Sequence, residues 1–551
     1  MAGNALSAGV SGLQAHQKML DVAGNNLANV NTTAFKTSRI TFSELLASTI
    51  KKASQATTNV GGTNPQQMGS GVGISSISPD MGQGNIVNTG NPLDMAVEGE
   101  GYFVLADATG RPIYTRAGAF GVDANTNLVD PSTGYFVQRI GVTGESDGFQ
   151  VSGSGDISVP YDIAMAAHAT STMTLQGNLG ADALLDTPQT QRLSASTIFT
   201  LASDSSTASG TTAFADLEGW TSAGDITIEY YDKDDTTKST DTYSVIGTTT
   251  LNDLITHINT LYTDATASLV NGRIQIEDDT SGYSHTDFSM ASATAGGVVM
   301  DMPGYFEVTA VGGDEVKSCN ITVYDSLGGK HALSGAFVRS DTTNTWDFLM
   351  TSITGDISAL DIDDRRIDGI SFNTDGSYDD CADTAALAVT FAHDTSNEQT
   401  IDLSLGTQGK WDGLTQFSGN STAVAKEQDG YESGTLSSVS VDNTGVLIGA
   451  FSNGVKKQIA TLKVALFQNP AGLESIGGGY YVESANSGDA VATQGLSGGA
   501  GSIYGGALEK SNADVATEFV NMIQAQNGYQ ANARTITVAN DILRELTNLI
   551  R

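Results

Sequence analysis

Six histidines, two cysteines and several aspartate clusters are the residues of this chain with donor atoms suited to catalysis or metal binding. The histidines (16, 168, 257, 285, 331 and 393) are dispersed. None forms an HExxH pair, and neither cysteine has partners at zinc-site spacing. His331 follows Gly328 in a turn-like stretch and reads as a surface histidine. Asp361, Asp363, Asp364 and Asp368 surround Arg365 and Arg366, and Asp232, Asp234 and Asp235 form a second cluster. Both offer oxygen ligands for Ca²⁺, but neither has the spacing of an EF-hand loop with its closing Glu. They read as solvated acidic loops. Gly69-Ser70-Gly71-Val72-Gly73 does not match a dinucleotide fingerprint, and Gly328-Gly329-Lys330 lacks the upstream glycine of a P-loop. No catalytic, cofactor-binding or metal residue is predicted, and an enzyme is not expected. Cys319 and Cys381 cannot staple a chain of 551 residues. They read as buried thiols, with a single bridge left open.

The elements that carry these residues are unevenly charged. The chain has 62 acids against 26 bases, a net charge of −36, which disfavours nucleic acid or an anionic membrane as partner. Residues 191 to 310 hold 17 of the acids and 4 of the bases, and this stretch is expected to be an inserted, outward-facing domain. No apolar run reaches the length of a membrane span. The first ten residues lack the basic and apolar regions of a cleaved signal peptide.

The two ends resemble each other. A 4,3,4,3 spacing from Leu6 picks out Val10, Leu13, Leu20 and Leu27 among others. From Val515 it picks out Phe519, Met522, Tyr529, Ile536, Leu543 and Ile550. Val538, Ile542, Leu546 and Leu549 widen that stripe. The residues of the two 4,3,4,3 stripes, Leu6 to Leu27 and Val515 to Ile550, are the predicted subunit interface. The first 35 residues carry only Lys18 and Asp21 as charges, and residues 511–551 carry nine Asn and Gln. Amide-rich faces suit helices packed on several sides, so the ends are expected to order only against other copies of the chain. Ordinary pairing of the two ends within one chain is the alternative. Between them the chain reads as β. Asn271-Gly272 and Asn453-Gly454 each join two strand-like runs in the manner of a two-residue hairpin. Leu251 to Leu261 is the one clear helix, with Leu254, Ile255 and Ile258 on one face. The fold class is multidomain: long, coiled-coil-like helical termini with several mainly antiparallel β domains inserted between them.

Three segments carry a family resemblance. Gly24-Asn25-Asn26-Leu27-Ala28-Asn29-Val30-Asn31-Thr32-Thr33-Ala34-Phe35-Lys36 resembles the N-terminal signature of flagellar rod and hook axial proteins, with Ala34 where a glycine is usual. The residues that carry the motif are Asn25, Asn26, Asn29, Asn31, Thr32, Phe35 and Lys36. Asn88 to Val97, Gly101-Tyr102-Phe103-Val104 and Tyr114 to Phe120 are similar to that family's first β domain. Leu508-Glu509-Lys510-Ser511-Asn512 and the tail that follows resemble its C-terminal helix. Val323 to His331, followed by Asn344-Thr345-Trp346, resembles the second outer domain of its hook members.

The resemblance implies a structural subunit of the bacterial flagellum. Such subunits polymerise into a hollow, curved, flexible tube that acts as a universal joint. It implies export through the flagellar type III apparatus without a cleaved signal peptide, and rod, hook-cap and hook–filament junction proteins as partners. No cofactor, nucleic acid or membrane insertion is expected. A distal-rod or junction subunit is the alternative within the family; an acidic, Ca²⁺-dependent adhesin is the alternative outside it. The expected layout is an N-terminal core helix (1–32), a linker (33–72), and a first β domain in two parts (73–175 and 426–510). A second β domain follows in two parts (176–190 and 313–425), with the acidic insert (191–312) and a C-terminal core helix (511–551). Likeness to spirochete hook proteins, which cross-link subunits through a cysteine-derived residue and a lysine, singles out Cys319 as a possible cross-linking residue.

Overall fold

The computed structural model describes residues 2–549 except 59, 162, 183–186 and 294–295. Three α-helices are described: α1 (Ala2–Ala28), α2 (Leu251–Leu261) and α3 (Val515–Leu549). All the rest of the regular structure is strand, apart from two short 3₁₀ turns. The chain divides into two compact units, Met1–Met165 with Thr435–Arg551, and Ala166–Gly434.

The first unit is built from both ends of the chain. Its main sheet takes Tyr102–Ala106 and Pro112–Thr115 from the N-terminal part. It interleaves them with Val464–Leu466, Glu474–Gly477 and Tyr480–Val482 from the C-terminal part. Tyr102, Val104, Tyr114, Phe467 and Tyr481 fill its core, with Tyr114 and Phe467 edge to face at 4.8 Å. Ser502–Gly505 pairs with Met95–Glu98, and Ala507–Glu509 with Ile86–Asn88, so the two halves are hydrogen-bonded up to the start of α3. Between α1 and this sheet runs a two-stranded arm. Its base is β1 (Ser38–Glu44) paired with β4 (Val72–Pro79), and its outer part is β2 (Ala47–Lys51) paired with β3 (Gln66–Gly69).

The second unit has a five-stranded antiparallel sheet running from Val316–Tyr324 to Tyr378–Cys381. A six-stranded sheet includes Thr172–Gly180, which lies parallel to both Gln399–Ser404 and Leu414–Phe417. Trp346, Phe337 and Phe348 are fully buried in the core. Residues 192–310 add a four-stranded and a three-stranded sheet with α2. That core takes in Ala336, Val338 and Leu349 from the five-stranded sheet, so the acidic stretch shares apolar packing with its neighbour.

Local signals account for much of this. Thr250 caps α2 in a reciprocal capping box with Asp253, and Leu254, Ile255 and Ile258 turn inward. Asn271 and Gly272 both have positive φ between Val270 and Arg273, as a two-residue hairpin turn requires. The second hairpin differs from expectation. Phe451 and Val455 bracket a three-residue connection in which only Gly454 is left-handed, the pattern of a bulged loop.

Candidate functional site

The terminal helices pair antiparallel within the chain, so the alternative to ordering only on association is the one observed. The seam runs along small residues. Gly9 lies against Ile536, Gly12 against Asn532 and Gly528 against His16, and Ala15, Ala23, Ala525 and Ala539 are buried. A Cβ on Gly12 would meet Asn532 Oδ1 at 2.6 Å, and one on Gly528 would meet the His16 ring at 2.5 Å. Small side chains let the backbones approach, which a Leu and Ile seam would forbid.

Most of the heptad-like stripe is therefore turned away from the seam, with Ile536, against Gly9, the exception. Val10, Leu20, Val515, Phe519, Tyr529 and Leu543 are exposed, whereas Leu6, Leu13, Leu27, Met522 and Ile536 are half-buried. Ile550 lies outside the described residues. Val520, Ile523, Val538 and Ile542 are also exposed. The reason is geometric: the small residues sit on one side of each helix and the large apolar ones on another, and only one side can face the partner helix. A contiguous exposed apolar face of this kind marks an interaction surface.

The motif residues lie at the root of the helix pair. α1 stops at Ala28, and the chain turns through 29–32. Asn29 donates to the Asn25 carbonyl at 2.9 Å, and Thr32 to Asn29 Oδ1 at 3.0 Å. Phe35 is half-buried and Asn31 is exposed. Ala34 is buried at φ +55, which explains why glycine suits that place. Asn26 is buried and bridges three elements. Its amide donates to the Ser38 carbonyl at 2.9 Å and to Glu518 at 3.0 Å, and its carbonyl accepts from the Ser38 N–H at 2.9 Å.

Lys36 closes the clasp. Its ammonium lies 2.6 Å from Glu509 Oε1 and donates to the Gly82 carbonyl at 2.9 Å, with both ionic side chains almost wholly buried. Glu509 Oε1 also accepts from the Gly84 N–H at 2.7 Å, and its backbone carbonyl accepts from Ala34 N–H at 2.9 Å. Arg116 lies 3.8 Å from Glu509 Oε2 and over the Tyr102 ring at 4.7 Å. Asn512 donates to the Asp80 and Gly82 carbonyls and accepts from Thr37 N–H at 2.8 Å. Burial lowers the Lys36 pKa, and the Glu509 carboxylate only partly restores it. Removing one partner of such a pair costs about 3–5 kcal/mol because it strands a buried charge. The clasp thus joins α1, the arm, the main sheet and α3 at one point.

Glu509 and Arg116 were not among the predicted site residues. A signal existed: Lys36 ends a run of 14 uncharged residues, and Glu509 ends one of 19. An isolated charge in such a run needs a partner, but spacing does not say which.

Three other expectations need correction. His331 is buried, not at the surface: Nε2 lies 3.0 Å from Asp325 Oδ2, Nδ1 lies 2.6 Å from the Thr354 carbonyl, and the ring packs on Phe391. Asp325 also accepts from Leu327 and Gly329 N–H, so this segment is a folded turn held by one carboxylate. The cluster at 361–368 is not a free solvated loop. Lys238 reaches Asp361 at 3.1 Å and Asp363 at 2.7 Å, Arg366 binds Asp347 and Asp368, and Arg365 is buried against Asp287. In the other cluster, Asp232 is buried and accepts from Thr263 N–H at 2.7 Å. Among the described residues only His285, Asp347 and Asp368 group closely enough to hold a metal, and Arg366 already occupies both carboxylates. Cys319 and Cys381 are free thiols. Cys319 is buried, and burial pushes its thiol up to about 11.

Helices from both ends of the chain, clasped at the root of a β unit and presenting unfilled apolar faces, leave a surface suited to association with other chains. Comparison with known proteins makes this specific. Residues 6–36 match the model "Flagella basal body rod protein", and 96–167 match "Flagellar hook protein FlgE/F/G D1 domain". Residues 310–431 match "Flagellar basal body protein FlaE D2 domain", and 504–549 match "Flagellar basal body rod FlgEFG protein C-terminal". The chain is 30% identical over 549 residues to the flagellar hook protein FlgE of Borreliella burgdorferi, covering 99% of each. It is 30% identical over 550 residues to that of Treponema pallidum, again covering 99% of each. The hook protein of Escherichia coli K12 is 27% identical, over 99% of this chain and 100% of its own. The crystal structure of the Helicobacter pylori flagellar hook protein FlgE2 aligns at 18% identity and a TM-score of 0.40, over 76% of this chain and 98% of that one.

The chain belongs to the flagellar hook protein FlgE family. It is a structural subunit of the flagellar hook, and the family implies a polymer of hook subunits at the flagellum. No described helix is long and apolar enough to cross a membrane.

Proposed function

We propose that copies of this chain assemble through their terminal helices into a hollow, curved, flexible tube that works as a universal joint between motor and filament. The observation that carries this reading is the exposed apolar face of α1 and α3, left over after the small-residue seam has closed the pair. Packing of Val10, Leu20, Val515, Phe519, Tyr529 and Leu543, with the half-buried Leu6, Leu13, Leu27, Met522 and Ile536, against neighbouring copies would line the tube, and the sequence stripe continues to Ile550. A heterologous contact whose rotation does not close gives an open helix of subunits. The longer, coiled-coil-like helical arrangement belongs to that assembled state.

The same reading assigns the finer domain boundaries at 32, 72, 190, 312 and 510; those expected at 175 and 425 fall inside the strands Thr172–Gly180 and Val424–Gln428, and the compact units divide at 165/166 and 434/435 instead. It also assigns the rod, hook cap and hook–filament junction proteins as partners, and export through the type III channel without a cleaved signal peptide. Burial of Cys319 supports an unreacted core thiol in the single subunit; cross-linking through it would require that strand to open. The test is deletion of 511–551. The shortened chain should remain soluble and folded in its β domains yet form no tubes in electron micrographs, and unimpaired tubes would overturn the proposal.

A further inference from the structure

The clasp leaves four buried polar atoms unpaired at one place. The antiparallel register that sets Phe103 opposite Thr115 puts Arg116 beside Tyr102, and the guanidinium lies over that ring. Glu509, at the end of the strand Ala507–Glu509, meets them from the other half of the chain. Its Oε1 is taken by the Lys36 ammonium and the Gly84 N–H. Its Oε2 has no hydrogen-bond partner among the described residues, and neither have Arg116 Nη1, Arg116 Nε and the Tyr102 hydroxyl. Arg116 is 3% exposed, and Glu509 and Tyr102 are 0% exposed. Arg116 Nη1 stands 3.8 Å from Glu509 Oε2, about 1 Å beyond a direct N⁺–H···O⁻ bond. Burial raises the Tyr102 pKa, so the hydroxyl stays a neutral phenol able to donate. Native folds rarely leave even one such atom unpaired.

We infer that Arg116, Glu509 and Tyr102 together hold one internal water, which completes the clasp. The surrounding charges select this guest. Lys36 and Arg116 repel a cation, the Glu509 carboxylate repels an anion, and burying a further charge is costly. A neutral guest must still accept from Arg116 and donate to Glu509, and a water does both. It accepts from Arg116 Nη1, donates to Glu509 Oε2 and makes its third bond with the Tyr102 hydroxyl. Three bonds are typical of a buried water, and a single one meets three of the four unpaired atoms. Two atoms each about 2.8 Å from the same oxygen can stand 3.8 Å apart, as these do. Glu509 thus binds its first cation, Lys36, directly and its second, Arg116, through the water.

Diffraction from crystals of the full-length chain, at a resolution that shows ordered water, reads the site directly. One peak should lie about 2.6–3.2 Å from Arg116 Nη1, Glu509 Oε2 and the Tyr102 hydroxyl oxygen. A bromide soak should leave that peak without anomalous signal. Direct contact between Arg116 and Glu509, no peak, or bromide at the site would overturn the inference. Tyr102→Phe tests it in solution, through hydrogen exchange of the amides of residues 103–106. The ring keeps its contacts with Arg116 and Phe467, so the unit retains its core. Removing a hydroxyl bonded to the water should favour local opening, and exchange should quicken about fivefold. Removing a hydroxyl that has no partner would leave exchange unchanged or slow it, and that sign would equally overturn the inference.

Discussion

The two compact units divide the chain's charge very unequally. Ala166–Gly434 holds 40 acids and 11 bases, a net of −29, whereas the unit made from both chain ends holds 22 and 15, a net of −7. They also differ in how their apolar residues are used. The acidic unit buries Trp346, Phe214, Phe288, Phe306, Phe337 and Phe348 in continuous cores and ties its internal junction with Arg365, Arg366 and Lys238. The other unit has a good sheet core but leaves Phe519, Ile523, Val538, Leu46 and Ile50 in water. Strong self-repulsion suits a surface kept in solvent, and a nearly neutral one with unfilled apolar faces suits self-association. One unit buries its large apolar side chains within itself, and the other leaves several of them exposed for the proposed contacts with other copies.

If the end-built unit depends on its clasp, Glu509→Ala should cost about 3–5 kcal/mol in urea unfolding by stranding Lys36 and Arg116. A loss below about 1 kcal/mol would mean that the helices hold themselves. The acidic unit should instead respond to pH. Burial and the neighbouring Arg366 push His285 down to about 4. The folded state therefore binds fewer protons than the unfolded one below the ordinary histidine value of about 6.5. Its stability should fall as pH drops from about 6.5 to 4, by up to about 3 kcal/mol, and His285→Asn should flatten that slope in thermal melts.

Two helix glycines then separate seam from surface. Gly528→Leu must push against the His16 ring and should cost about 1–3 kcal/mol, read as lost amide protection along α3. Gly24→Ala meets nothing within 4 Å and should gain about 0.5–1 kcal/mol. Equal effects would place the seam elsewhere. The smallest effect is expected at Ala34→Gly, which relieves a left-handed alanine and should stabilise the end-built unit by about 1 kcal/mol at most.

The positions of the helices, the Asn271-Gly272 turn and the inward face of α2 were readable from residue types, because each depends on neighbours a few positions away. So was the family motif, though not its physical role. Lys36 and Glu509 are 473 residues apart, and nothing local to either names the other. His331 and Asp325 are close in sequence, but the burial of that turn comes from Phe391 and the strand that brings it there.

The amino-acid order by itself determined that both ends are amphipathic helices with more apolar surface than one partner can cover. It also determined that residues 45–79 are free of acids and that negative charge concentrates in the middle of the chain. Only the tertiary structure decided which helix face closes the pair. Periodicity reports that a face exists, whereas the choice of partner depends on how closely two backbones can approach, and here the glycines and alanines approach closest.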